Sequence, residues 1–386
     1  ANWPPPGPTF GCPVYSKAEI AAWKTKARGA GSEYARLAAT GAGSLTTTST
    51  KYKPQVYGTQ ISSTERDVFK DQSGFAKVQA VLWAADGNPA RRTKVIAYLA
   101  EQAKVTSWQY DSGEQYRLVA GWGITNVCQA AAIVGYKDPG FDNFLRITYP
   151  LLDWPENPNW QASFADSKLA IAAYLGDPEL WAHAVAYFNT RIAQSIWHGT
   201  HDGNKIAPLR NAAGAVMVDG TLRHWGANDK SAGPQIKLAG TGEFVFVSTS
   251  MATYGANAER RRDLSHVNMG LAGFTNAART IEAQGVALER HALDRLTAGW
   301  DHHAMRVATH LATGTQLTPS VKTLPADPTS TSSQGERFQG YYGAQALLGS
   351  ATPATVSTML TRSQVVLYPA GGANHIVAEA FADGPL

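Results

Sequence analysis

A joint between helices recurs along this chain and constrains its fold more than any other feature. At each joint an Ala-rich segment ends at a glycine, a short turn follows, and an Asp-Pro or Asn-Pro pair opens the next segment. The joints are Gly87-Asn88-Pro89, Gly135-Tyr136-Lys137-Asp138-Pro139, Gly176-Asp177-Pro178 and a looser copy, Gly349-Ser350-Ala351-Thr352-Pro353. Glycine suits a left-handed C-cap, Asp or Asn an N-cap, and Pro the first helical turn. We therefore expect a succession of helical hairpins.

The spacing of these joints indicates how the hairpins are arranged. Pro89, Pro139 and Pro178 are 50 and 39 residues apart, and helical hairpins at that period form a solenoid or a closed ring. We find no interdomain linker and predict a single domain over 1–386, with 1–15 as an N-terminal arm. The Gly-rich stretch 199–246 has strand fragments at 215–218 and 244–247. It is predicted to be a loop and β-hairpin excursion near a cleft, since long ordered loops often carry function.

Composition narrows the class of partner. The net charge is +4 and the pI about 8.9, which favours an acidic partner but is too weak to indicate nucleic acid. No apolar stretch is long enough to span a membrane. Cys12 and Cys128 either form one disulfide or stay free. The first residues, without an initiator Met or a signal peptide, resemble a processed end, so we expect secretion, extracellular or periplasmic. We also expect a monomer.

The segment 259–274 carries an unusual group of ionisable residues. As a helix it places Glu259, Arg262, Asp263 and His266 on one face. The other side presents a packing stripe made of Leu264, Val267, Leu271 and Phe274. With small residues following, this pattern is typical of a helix that faces a polar cavity. The alternative is a solvated helix start with an ordinary Glu259–Arg262 pair.

Three blocks of sequence resemble the alginate lyase superfamily of polysaccharide lyases. They are Asn159-Trp160-Gln161, then Arg262-Asp263-Leu264-Ser265-His266 with Gly270-Leu271, and finally Glu336-Arg337-Phe338-Gln339-Gly340-Tyr341-Tyr342. The resemblance implies an all-α fold, an (α/α) toroid built as an incomplete barrel of helical hairpins. It also departs from the family at one point, since many members carry His directly after the Asn, where this chain has Trp160. The histidine role then passes to His266 or to another residue.

The resemblance also implies a reaction, β-elimination at C4–C5 of a 1,4-linked polyuronate such as alginate, polymannuronate or glucuronan. Such a lyase must neutralise the uronate carboxylate, remove the C5 proton and protonate the leaving O4. We expect Asn159, Gln161 and Arg262 to neutralise the carboxylate, with Asp263 orienting His266 or Arg262. The alternative for Asn159 is a helix N-cap, and for His266 a buried core histidine.

The proton-transfer and sugar-binding residues follow from the same resemblance. Tyr342 or Tyr341 would act as base and acid on one face of the sugar, and Tyr254 is a third candidate. Glu336 would hold an Arg or a sugar hydroxyl. The expected sugar platforms and outer-subsite residues are Trp160, Trp122, Trp225, Tyr116 and Arg117, although core packing is the alternative for Tyr116. No organic cofactor and no metal is implied.

Two other functions remain open at this stage. A glycoside hydrolase on the same toroid would need two carboxylates across the scissile bond, such as Asp263 with Glu336 or Glu243 with Glu259. A non-catalytic polysaccharide-binding protein would need only aromatic platforms and positive charge. A metal site at His198, His201 and Asp202 is suggested weakly by their spacing.

Overall fold

The computed structural model describes residues 8–29, 33–41, 63–108, 115–153, 158–196, 198–202, 205–206, 235–237, 244–246, 264–313 and 340–361. The helices are α1 Lys17–Gly29, α2 Glu33–Gly41, α3 Ser63–Asp86, α4 Pro89–Gln102, α5 Gln115–Val134, α6 Pro139–Thr148, α7 Pro158–Leu175, α8 Pro178–Ser195, α9 Gly199–Asp202, α10 Leu264–Ala283, α11 Arg290–Thr313, α12 Tyr341–Leu348 and α13 Ala354–Leu360. Short 3-10 turns follow α6 and α12. None of the helices in the described part of the chain is both long and apolar enough to cross a membrane.

Three of the predicted joints are confirmed with their caps, whereas at the looser fourth joint a 3-10 turn follows Leu348 and α13 begins after Pro353 without a side-chain cap. Asp138 shows the pattern, since its Oδ1 accepts hydrogen bonds from Gly140 N at 2.8 Å and Phe141 N at 3.1 Å, while Pro139 is the first residue of α6. Asn88 and Asp177 cap α4 and α8 in the same way. The glycines before the three caps have φ values of 74°, 69° and 67°, in the left-handed region that glycine adopts without strain.

The helices form two layers. The inner layer consists of α3, α5, α7, α10 and α12, packed side by side in that order. In the outer layer, α4 packs on α3, α8 on α7, α11 on α10 and α13 on α12, and α6 lies against α4 and α7. The predicted all-α (α/α) toroid is therefore confirmed.

Small residues allow the inner helices to approach closely. A Cβ added at Gly273 of α10 would lie 3.1 Å from the Cβ of Ala162 of α7, which is closer than ordinary packing allows. The same two helices carry buried polar residues on their facing sides, including Asp166 and Asn276. The contact between α7 and α10 thus fixes which polar groups of the inner layer meet.

Three short strands lie between α9 and α10. They are β1 Lys205–Ile206, β2 Gln235–Lys237 and β3 Phe244–Phe246, and they form an antiparallel sheet in the order β1-β3-β2. Ile206 pairs with Phe244, and Ile236 pairs with Val245. The strand expected at 244–247 is confirmed, whereas the one expected at 215–218 lies outside the described residues.

The described part of the N-terminal arm packs along the C-terminal half of α10. Thr9 N donates to Gln284 O at 2.9 Å, and Gln284 Nε2 donates to Cys12 O at 2.9 Å. Val14 N donates to Thr280 Oγ1 at 3.1 Å. Val14 is buried with φ 70°, a strained conformation for a β-branched residue, so the packing around it must hold it in place.

Both cysteines are free thiols. The disulfide considered from the sequence is therefore not formed, and Cys128 is the buried thiol of the alternative interpretation. Burial raises the pKa of Cys12 to about 12 and that of Cys128 well above its ordinary value. At neutral pH both side chains are therefore in the thiol form.

Candidate active site

The first turns of α7 and α10 meet at a buried amide. Asn159 is the second residue of α7, after Pro158, so it is not the N-cap that the alternative interpretation made of it. Its side chain is 1% exposed, and its Nδ2 donates to Met269 Sδ of α10 at 3.8 Å. Its Oδ1 is buried without a hydrogen-bond partner. An amide buried with only a sulfur to bind costs stability, so its presence needs an explanation, and a catalytic role is one.

The neighbouring residue Gln161 points away from Asn159. Residues two positions apart on a helix lie about 200° around its axis from one another. Asn159 shares its side of α7 with Ala162 and Asp166, the residues that face α10, whereas Gln161 faces the other way. The two amides therefore project from different sides of α7, and the expectation that both neutralise one carboxylate stays a prediction.

Three of the expected sugar-contacting aromatics are largely buried. Trp122, Trp160 and Tyr116 are 9%, 7% and 1% exposed, and a stacked sugar needs an open ring face. The burial of Tyr116 agrees with the alternative interpretation of this residue, which was core packing. Arg117 donates from Nη1 to Leu151 O at 2.8 Å and lies 5.0 Å from the centre of the Tyr116 ring, contacts that join α5 to the turn after α6. The outer subsite expected at these residues stays a prediction.

A cluster of aromatic rings joins α11 to the start of α12. The Trp300 and Tyr341 rings lie 4.9 Å apart, and the His303 ring lies 6.1 Å from each of them. Trp300 Nε1 donates to Thr275 Oγ1 of α10 at 2.8 Å. All three rings are essentially buried. The cluster, defined as Trp300, His303 and Tyr341, therefore links α10, α11 and α12 rigidly.

Gly340 fixes the start of α12 and separates the roles of the two tyrosines. It has φ 87°, and a Cβ added there would lie 2.6 Å from the Cβ of Ala272 on α10. Tyr341 follows it and is fully buried, whereas Tyr342 is partly exposed. Of the two candidates, Tyr342 is the one with a solvent-facing surface, and Tyr341 is placed to hold α12 in position.

Asp166 is a buried carboxyl that the sequence analysis missed. Thr125 Oγ1 donates to its Oδ1 at 3.1 Å, and Asn276 Nδ2 donates to its Oδ2 at 3.0 Å. Complete burial raises its pKa to about 7, although these two hydrogen bonds and the charge of Lys77 oppose the shift. Asp166 lies two turns below Asn159 on the same face of α7, and that seven-residue spacing was the signal available in the sequence.

Several expected site residues fall outside the described part of the chain. They are Arg262, Asp263, Glu336, Tyr254, Trp225, Glu259 and Glu243. α10 begins at Leu264, and His266 lies in its first turn, but the position of the His266 side chain is also outside the description. The packing stripe predicted for this helix is confirmed for Val267, Leu271 and Phe274, which are buried.

Of the two histidines considered for a metal site, His201 contacts a carboxylate. His201 Nε2 lies 3.0 Å from Asp294 Oδ2, and its ring lies 4.8 Å from that of His198. Within the described ranges, no group of three or more His, Cys, Asp or Glu side chains is arranged to hold a metal ion. His201 instead fastens the short helix α9 to α11.

Comparisons with known proteins agree with this architecture. No protein-family model and no curated protein matches the sequence. The crystal structure of alginate lyase A1-III from Sphingomonas species A1 is similar over 98% of both chains, with a TM-score of 0.57 and 14% sequence identity. A tyrosine-to-phenylalanine variant of alginate lyase A1-III, complexed with tetrasaccharide, is similar over 97% of both chains, with a TM-score of 0.55 and 13% identity. This chain therefore has an alginate lyase-like fold.

Proposed function

We propose that this protein is a polysaccharide lyase that cleaves a 1,4-linked polyuronate by β-elimination. The observation that carries the proposal is the buried amide of Asn159. It lies at the start of an inner helix of an alginate lyase-like toroid. Within the described residues its oxygen has no hydrogen-bond partner, and its nitrogen donates to a sulfur alone. Such an amide is held ready for a ligand that supplies better hydrogen bonds.

The first step of the reaction needs a neutralised carboxylate. Removal of the C5 proton turns the adjacent uronate carboxylate into an enolate-like group with greater negative charge. Asn159 Nδ2 donates a hydrogen bond to this group, and the positive end of the α7 dipole adds to the stabilisation. In the proposal Arg262 makes the second, charged contact with the carboxylate.

The second step is proton transfer on one face of the sugar. β-Mannuronate and β-glucuronate have the same configuration at C4 and C5, with the C5 hydrogen and O4 on one side of the ring. A single tyrosine then removes the C5 proton and returns a proton to O4. We assign this role to Tyr342, because it is partly exposed whereas Tyr341 is buried against Trp300. His266 assists Tyr342 in the proton transfer, because an imidazole can accept or donate a proton near neutral pH.

The substrate class follows from charge and size. The net charge of +4 favours an anionic polymer. A polymer does not cross a membrane unaided, so the proposal places the enzyme outside the cytoplasm, acting as a monomer without an organic cofactor. Polymannuronate and glucuronan both fit the one-face mechanism, whereas α-guluronate needs base and acid on opposite faces.

The test is the ultraviolet absorbance of the unsaturated uronate end, measured separately on polymannuronate, polyguluronate and glucuronan. We expect the absorbance to rise on polymannuronate or glucuronan and to stay flat on polyguluronate. Released reducing ends without absorbance would show a glycoside hydrolase instead. Binding of a polymer with neither signal would show a non-catalytic polysaccharide-binding protein.

A further inference from the structure

We propose that Met269 is a positioning residue for Asn159, an inference that rests on the lyase proposal above. The Met269 thioether orients the Asn159 amide as a weak acceptor and leaves the amide hydrogens available to the sugar carboxylate.

The geometry of the two helices carries this proposal. Asn159 Nδ2 lies 3.8 Å from Met269 Sδ, and the two side chains are 1% and 4% exposed. This is the one side-chain hydrogen bond that Asn159 makes to a described residue. Because Ala162 and Gly273 hold α7 and α10 in close contact one turn further along, the amide and the sulfur stay in register.

The chemistry of sulfur explains why a methionine suits this place. A thioether is a weak hydrogen-bond acceptor, and it has no donor. It therefore distinguishes the amide nitrogen, which it attracts, from the amide oxygen, which it does not. A side chain with a carbonyl oxygen here would also orient the amide, but it would compete with the substrate carboxylate for the same hydrogens. Met269 selects the orientation without competing strongly.

Two substitutions separate orientation from competition. Met269→Leu keeps the volume and removes the acceptor, whereas Met269→Gln supplies a strong acceptor. We expect kcat to fall about fivefold in Met269→Leu and about tenfold or more in Met269→Gln, changes of the size that one hydrogen bond produces. KM should change less than kcat, since the interaction strengthens as charge develops on the carboxylate. Met305→Leu is the matched control, because Met305 is 48% exposed on α11.

A double-mutant cycle distinguishes positioning from a general packing effect. In an Asn159→Ala background, Met269→Leu and Met269→Gln should leave kcat unchanged, because the group that they misplace is gone. If each substitution lowers kcat by the same factor with and without Asn159, then Met269 acts independently of the amide and the proposal is wrong. Wild-type kinetics in both single variants would overturn it equally.

A second readout does not depend on activity. The side-chain amide resonances of Asn159 in an ¹⁵N-labelled protein should shift in Met269→Leu and in Met269→Gln, in different directions. If the wild-type protein cleaves no polymer, the lyase proposal fails by itself. The resonances still decide whether Met269 orients the side-chain amide of Asn159. Unshifted resonances in both variants would refute the contact.

Discussion

Stability alone does not explain the surroundings of Asn159. A buried amide normally satisfies both its nitrogen and its oxygen, and among the described residues this one forms a side-chain hydrogen bond only with Met269 Sδ, through its nitrogen. We predict that Asn159→Asp, which keeps the shape and replaces the donor by a charge that repels the uronate, lowers kcat at least about 100-fold. The measurement is the rate of the ultraviolet absorbance rise at saturating polymer.

The control for this prediction is Asn143→Asp. Asn143 is exposed on α6, so the same change of charge there should leave kcat within about twofold, as surface substitutions commonly do. Equal losses in the two variants would show that the added charge, and not the Asn159 donor, is responsible.

Asp166 gives a prediction about pH. Its pKa of about 7 in the folded protein lies above the ordinary value of 3.8, so the folded state binds the proton more tightly than the unfolded chain. The stability that this provides is fully present below about pH 4 and is lost as pH rises through about 7, a loss of at most about 4 kcal/mol at roughly 1.4 kcal/mol per pKa unit. Urea unfolding at acid and alkaline pH measures it.

Asp166→Asn removes the titration and serves as the comparison. The free energy of unfolding of the wild-type protein should decline relative to the variant between pH 4 and pH 8. A difference between the two proteins that is the same at both pH values would contradict the assignment of this proton to Asp166.

At the residue level, the sequence revealed what depends on neighbours along the chain and missed what depends on contacts between helices. Asn159 was identified from its block. Met269 and Asp166 were not, because their importance depends on where α7 crosses α10, and the Ala162–Gly273 contact sets that point.

Among the elements, the helix boundaries at the joints were predictable because their causes are local. A cap such as Asp138, a following proline and a preceding left-handed glycine lie within five residues and act without tertiary contacts. The start of α12 is different. Gly340 is required there by its contact with Ala272, a residue 68 positions earlier in the chain.

Gly340→Ala tests how far the tyrosines depend on that contact. The left-handed backbone and the crowded Cβ should together lower the free energy of unfolding by about 2–4 kcal/mol. Activity should fall as well, since Tyr341 and Tyr342 follow Gly340 directly. Thermal unfolding and the absorbance assay measure the two effects.

Gly87→Ala is the matched control for Gly340→Ala. Gly87 also has a left-handed φ, 74°, but a Cβ there would meet nothing within 4 Å. The Gly87→Ala substitution should lower the free energy of unfolding by only about 1 kcal/mol and leave kcat unchanged. If the two variants lose equal stability and keep equal activity, crowding against α10 does not position α12.

On the scale of the whole molecule, the hairpin spacing predicted a ring or a solenoid, and the family resemblance selected the toroid. Neither predicted how the N-terminal arm is used. Thr9 bonds to Gln284, the residue after α10, and Val14 bonds to Thr280 of α10, partners that are more than 260 positions away in the chain. These hydrogen bonds between distant residues depend on the curvature of the complete ring, so no local sequence pattern predicts them.

The arm and the continuous inner layer together predict one cooperative unfolding transition. Each inner helix packs on the next, from α3 to α12, and the arm joins α10 to the first helices of the chain. Loss of one hairpin therefore exposes the buried sides of its neighbours, which favours an all-or-none transition despite the length of the chain. Circular dichroism reports the helices as a whole. Tryptophan fluorescence reports the eleven tryptophans of the chain together, and those in the described helices are distributed from α1 to α11, at Trp23, Trp83, Trp122, Trp160, Trp181 and Trp300. The two signals should follow one curve in urea, with the same midpoint. Separate midpoints would divide the chain into independently folding parts and would contradict the single domain expected from the absence of a linker.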